Sequence, residues 1–106
     1  MKRFYLFCSA GMSTSLLASR MQKVADAHNL QIEIKAFSDK EMPMIVEQYN
    51  PDVILLGPQV KHIFGRVNEK YGDKIPVFVI DSKDYGEVNG ERVLKVAIKA
   101  YKERKG

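Results

Sequence analysis

Four short apolar runs alternate along the chain with longer stretches in which apolar residues recur every three or four positions. The runs occupy 4–7, 31–36, 53–56 and 77–80. Strands separated by segments of helical length are the signature of βαβ units and of a parallel sheet covered on both faces. Residues 4–7 and 53–56 are apolar without interruption, as in strands buried on both sides, and are expected at the centre of the sheet. Gln31-Ile32-Glu33-Ile34-Lys35-Ala36 alternates strictly, which gives it one polar face and an edge position. The fourth run follows Pro76.

The intervening periodicity predicts four helices. The first starts at Ser13 or Thr14, both competent N-caps, places Leu17, Met21, Val24 and Ala25 toward the core and stops at Asn29. A second covers 40–48, marked by Met44, Ile45 and Gln48 and ended by Asn50-Pro51. A third covers about 60–70, with Ile63, Phe64 and Val67 on one side and Gly72 as its stop. The last covers about 91–104 and carries Val93, Leu94, Val96, Ala97, Ile98 and Tyr101 on a broad apolar stripe. With right-handed crossovers the strand order becomes 2-1-3-4. The fold class is therefore α/β: one three-layer domain over 1–106, with a four-stranded parallel sheet flanked by helices. Its switch point lies between the first and third strands, and ligands in such folds sit beyond the carboxyl ends of the strands there. The loop after the first strand should meet Gly57-Pro58-Gln59 at that point, with the loop 81–86 as a further wall.

A chain of 106 residues, 45% of them hydrophobic, suffices for one compact domain with a real core. The net charge of +4 is modest, and much of the excess lies in Lys95, Lys99, Lys102, Arg104 and Lys105, which fits a solvated helix face near the negative end of its dipole. No interleaved aromatics, RNP-like strand or helix-turn-helix pattern accompanies that charge, so nucleic acid is not the expected partner. The apolar run after Met1-Lys2-Arg3 breaks at Cys8-Ser9 before it reaches signal-peptide length, and no run approaches a membrane span. A soluble cytoplasmic protein is expected.

The chemistry concentrates at the end of the first run. Cys8 is the only cysteine, which excludes an internal disulfide, a CxxC redox pair and a Cys-rich zinc site and suits a reducing compartment. The order of strand, cysteine, small polar loop and helix puts a thiol at a helix N-terminus, where backbone N–H groups lack intrahelical partners. Such a place binds anions. The same field favours thiolate and lowers a cysteine pKa by one to several units from about 8.5. Gly11 lets the loop curl, and Ser9, Ala10 and Ser13 let backbone approach an anion closely. Taken alone, Cys8 fits a small buried core residue in an ordinary strand-to-helix turn. A nucleophile followed at once by an anion nest points instead to a phosphoryl group carried on Cys8. No GxxxxGK[ST] or GxGxxG is present, which leaves ATP and dinucleotides without a loop.

The string Cys8-Ser9-Ala10-Gly11-Met12-Ser13-Thr14-Ser15 resembles the active-site loop of enzyme IIB of the lactose/cellobiose/chitobiose class of the bacterial sugar phosphotransferase system. Leu55-Leu56-Gly57-Pro58-Gln59, Val79-Ile80-Asp81-Ser82 and Tyr85-Gly86 resemble that family's segments after the third and fourth strands. In that family the cysteine takes phosphate from a phosphohistidine of enzyme IIA and passes it to a sugar translocated by the membrane enzyme IIC. The resemblance implies that Cys8 is the phosphocysteine and that Ser9, Ala10, Gly11, Met12, Ser13, Thr14 and Ser15 form its phosphate-binding loop. It also implies IIA and sugar-loaded IIC as partners at the inner face of the membrane and a β-linked disaccharide such as cellobiose, chitobiose or lactose; no metal or cofactor is expected, because the backbone nest neutralises the phosphoryl charge.

Low-molecular-weight tyrosine phosphatases share this geometry, with an arginine six positions after the cysteine to clamp the phosphoryl oxygens. Here that position is Thr14, while Asp81 and Asp84 are available as candidate acids. A flavodoxin-like FMN module would use the hydroxyl-rich loop for phosphate and Tyr85 for stacking. Gln59 reads either as a donor to the phosphoryl group or as a helix-entry residue. Tyr85 reads as a wall of the site, a partner contact or loop packing. Asp81 reads as a cap, and His28 and His62 as surface histidines.

Overall fold

β-branched and aromatic side chains pack better on a pleated surface than around a helix, and four strands form where they are densest. These are β1 (Lys2–Cys8), β2 (Ile32–Ser38), β3 (Val53–Leu56) and β4 (Val77–Val79), paired in parallel in the order β2-β1-β3-β4. The computed structural model describes residues 1–9 and 12–105, and the side chains of all of these except Met12, Ser13 and Lys105. Helices α1 (Met12–Ala27), α2 (Met42–Tyr49), α3 (Phe64–Tyr71), α4 (Ser82–Gly86) and α5 (Gly90–Lys105) connect and follow the strands. The expected α/β architecture and strand order are those observed.

Strand pleating divides the core into two layers. Phe4, Leu6, Val53 and Leu55 face Leu17, Met21 and Ala25 of α1 and Val93, Leu94 and Ala97 of α5. Tyr5, Phe7, Ile54 and Leu56 face Met42, Ile45 and Val46 of α2 and Val67 of α3. Each large apolar side chain removed from water in this way contributes about 1.5–3 kcal/mol. The edge strand β2 is covered by a side chain: Gln22 of α1 donates to the Ile32 carbonyl at 2.8 Å and accepts from the Ile34 N–H at 2.8 Å, occupying backbone groups that face away from β1.

Several boundaries and helix phases differ from the sequence pattern. α1 begins at Met12, so neither Ser13 nor Thr14 is its N-cap, and Thr14 lies on the buried stripe of Leu17, Ala18, Met21 and Ala25. Before α2, a 3-10 turn (Asp39–Glu41) is fixed by a capping box: the Ser38 hydroxyl accepts from the Lys40 N–H, and the Glu41 carboxylate accepts from the Ser38 N–H. The helix then turns Met42, Ile45 and Val46 inward, leaving Met44 56% exposed and Gln48 exposed, contrary to the expected face. The single helix expected over 60–70 is a 3-10 segment (Pro58–Ile63), non-helical at Val60, followed by α3. Pro58 presets this tight start. The loop expected over 81–86 contains α4, and on α5 Val96 lies outside the buried stripe.

Buried Tyr5 sends its hydroxyl to the rim of the sheet, where it donates to Glu33; Arg3 lies 3.6 Å from the same carboxylate. Burial, then the hydrogen bond and charge of Glu33, push the Tyr5 pKa well above the ordinary tyrosine value of 10.0. The native state thus resists ionising Tyr5 where the unfolded chain does not, so this contribution is complete below about pH 10 and declines as pH rises beyond it. Tyr5→Phe should cost about 1–2 kcal/mol near neutral pH and show a shallower alkaline loss of stability. Urea denaturation of both proteins between about pH 7 and 11 checks this; parallel pH curves would show that Tyr5 does not couple folding to ionisation.

Candidate active site

Cys8 ends β1, and Gly57 follows β3. The Gly57 N–H donates to the Phe7 carbonyl at 2.9 Å, which holds these two segments side by side at the carboxyl end of the sheet. Cys8 is buried, at 2% exposure, and its Sγ donates to Oε1 of Gln59 at 3.2 Å. A Cβ built on Gly57 would lie 2.9 Å from that sulfur and 3.1 Å from Gln59 Oε1. Gly57 has φ −64° and ψ 153°, a conformation open to any residue. Close approach to the thiol, rather than backbone freedom, is what requires glycine.

Tyr85 approaches from another direction. Its Oη lies 3.9 Å from Cys8 Sγ and 2.9 Å from Thr14 Oγ1, and both Tyr85 and Thr14 are buried. The stripe position of Thr14 explains this pairing, since a hydroxyl carried into the core needs a partner. Tyr85 is placed by α4, whose first turn is capped by Asp81 accepting from the Lys83 and Asp84 N–H groups. Asp84 is held in turn by Arg92 of α5 at 2.9 Å. Gly90 starts α5 where a Cβ would come within 2.8 Å of the α1 backbone at Arg20 and Met21, so the turn bearing Tyr85 is drawn against the helix bearing Thr14.

Residues 3–96 match the family model of the PTS system lactose/cellobiose-specific IIB subunit. The chain belongs to this family. It is 43% identical over 96 residues to the galactose-specific EIIB component of Lactococcus lactis subsp. cremoris (strain MG1363), covering 87% of this chain and 89% of that one. Identity and coverage are the same for the cellobiose-specific EIIB component of Lactococcus lactis subsp. lactis (strain IL1403). The solution structure of the cellobiose-specific IIB component from Borrelia burgdorferi superimposes with a TM-score of 0.77 at 38% identity, over 96% of this chain and 93% of that one. The protein is thus a sugar-specific IIB component of lactose/cellobiose type, a phosphotransferase-system protein.

Within this IIB domain, Cys8, Thr14, Gln59 and Tyr85 converge as the strand order anticipates. Ser9 and Ser15 are exposed beside them. Ala10 and Gly11, with the side chains of Met12 and Ser13, lie outside the described residues. Gln59 reaches the thiol and accepts its hydrogen bond, through the oxygen of an amide whose N–H groups are the donors expected to serve a phosphoryl group. Asp81 is a cap and Asp84 an ion-pair partner, so both candidate acids are engaged in holding α4. The Tyr85 ring is packed in the core with Thr14 on its hydroxyl, which argues against a flavin-stacking surface. His28 and His62 are exposed, as expected.

Two roles escaped the sequence reading. The closeness of Gly57 to sulfur was signalled only by a glycine ending a fully buried strand at the switch point. The Thr14–Tyr85 bond was foreshadowed by Thr14 falling three residues before Leu17, on the core side of its helix. Gly57→Ala should leave the fold largely intact and slow Cys8 alkylation about tenfold or more, because the added methyl crowds sulfur and Gln59. Thermal melting and intact-mass alkylation kinetics check the two halves; unchanged alkylation would show that the site tolerates the methyl and that Gly57 has no such role.

Proposed function

We propose that this IIB component carries a phosphoryl group on Cys8, accepting it from a phosphohistidine of enzyme IIA and delivering it to a sugar held by membrane enzyme IIC. The observation that carries this reading is the placement of Cys8 Sγ at the sheet's switch point, immediately before the loop that leads into α1. Ser9, Ala10, Gly11, Met12, Ser13, Thr14 and Ser15 are assigned as the phosphate-binding loop, with Gln59 and Tyr85 as walls. The loop's backbone N–H groups and the N-terminal end of α1 would offset phosphoryl charge.

Transfer divides into two displacements. In the first, the Cys8 thiolate attacks phosphorus, and the P–N bond breaks with its electron pair remaining on the donor imidazole. In the second, a sugar hydroxyl oxygen attacks phosphorus and loses its proton to a base on the acceptor side. The P–S bond then breaks and its pair returns to Cys8. Gln59 accepts from the protonated thiol, so ionisation requires its exposed amide to turn its N–H groups toward the sulfur or the phosphoryl oxygens.

Among the described residues no helix is long and apolar enough to cross a membrane, and we place the protein in the cytoplasm, meeting IIC at the inner membrane face. Relatives of equal identity name galactose and cellobiose. A β-linked disaccharide, cellobiose, chitobiose or lactose, is the sugar class assigned.

Cys8→Ser tests the central step. The variant should fold, but sugar phosphorylation in a system reconstituted with phospho-IIA and IIC should fall to background, because a serine hydroxyl is a far weaker nucleophile near neutral pH. Phosphopeptide mapping of the wild type at mildly alkaline pH should locate the group on Cys8. Wild-type-like sugar phosphorylation by Cys8→Ser would remove this function.

A further inference from the structure

We infer that Thr14 and Tyr85 form a hydroxyl relay that stabilises the Cys8 thiolate: Thr14 is a positioning residue acting through Tyr85, whose O–H faces sulfur. The three groups lie in sequence, Thr14 Oγ1 2.9 Å from Tyr85 Oη and Tyr85 Oη 3.9 Å from Cys8 Sγ, and all three residues are buried. Each hydroxyl has one proton to donate. In the thiol state the S–H proton goes to Gln59, the tyrosine contact to sulfur is long, and the two hydroxyls satisfy each other. On ionisation the thiol proton passes to solvent water and sulfur becomes a strong acceptor. The Tyr85 O–H then turns to it, and the Thr14 O–H donates to the Tyr85 oxygen left behind.

Within the relay itself only protons need to reorient, because the phenol is already held in place by the packed α4 segment and the Asp84–Arg92 pair. Donation from Thr14 polarises the phenol and makes its O–H a better donor to sulfur. The same relay assists both displacements, since thiolate is the nucleophile in one and the leaving group in the other. This use of the relay rests on the carrier function proposed above, whereas its effect on thiol ionisation does not.

The test exploits Cys8 being the only cysteine. The pH dependence of its alkylation by iodoacetamide, followed by intact mass, reports thiolate formation in the full chain. Removing an O–H donor from a thiolate raises its pKa, so Tyr85→Phe should move the alkylation midpoint upward by about one pH unit. Thr14→Val should move it in the same direction by less, and Thr14→Ser should restore it toward wild type. Because Thr14 acts through Tyr85, adding Thr14→Val to Tyr85→Phe should produce no further shift.

An unmoved midpoint in Tyr85→Phe with a native thermal transition would overturn the inference, as would additive shifts in the double variant. Should Tyr85→Phe fail to fold, the comparison of Thr14→Val with Thr14→Ser still decides, since equal midpoints would refute the relay. Phosphoryl acceptance is measured separately. Wild type that takes no phosphate from phospho-IIA, with alkylation midpoints moving as stated, would sink the carrier function and still support the relay.

Discussion

The hydrogen bond from the Gly57 N–H to the Phe7 carbonyl, 2.9 Å long, extends the ladder between β1 and β3 up to the carboxyl end of the sheet, where Cys8 sits. Both strands are buried on both faces, so neither can shift without disturbing two core layers. Beside it the Ile80 N–H donates to the Leu56 carbonyl at 2.8 Å and carries the chain to Asp81, α4 and Tyr85. Three segments distant in sequence therefore leave the sheet at one level. Packing at this ladder end would bring a Cβ at position 57 within 2.9 Å of sulfur, and it places an amide and a phenol around that sulfur.

Much of this was legible in the sequence because it follows from local pattern and topology. The unbroken apolar runs of β1 and β3 marked central strands, and strict alternation marked β2 as an edge. Right-handed connection then sufficed to bring Cys8, Gln59 and the Tyr85 segment together. Helix phase was less legible. Met44 and Ile45 are equally plausible on a core face by composition, and the choice is made by the Ser38–Glu41 capping box and the closer packing of Met42 and Val46. Pro58 likewise signalled a start, but not the 3-10 geometry that follows.

The site was legible in its membership more than in its contacts. Thr14 and Tyr85 lie 71 positions apart, and their bond depends on α4 forming and on Gly90 seating α5 against α1. Neither condition is a local propensity. The Gln59–thiol bond was not legible for a different reason: one amide carries both donor and acceptor, and the protonation state of sulfur selects between them.

The pairing also changes the meaning of the missing arginine. Whatever its backbone contributes to the loop, the side chain at position 14 is buried against Tyr85, so a longer one could not simply be added. An arginine there would have to displace the phenol of Tyr85. If Cys8 takes and gives up a phosphoryl group as proposed, a modest donor has an advantage. Each unit of lowered pKa makes sulfur a better leaving group but reduces intrinsic thiolate nucleophilicity about threefold, and thiolate population stops compensating once the pKa falls below ambient pH. A hydroxyl donor, with the proposed effect of about one unit, trades little nucleophilicity for a better leaving group.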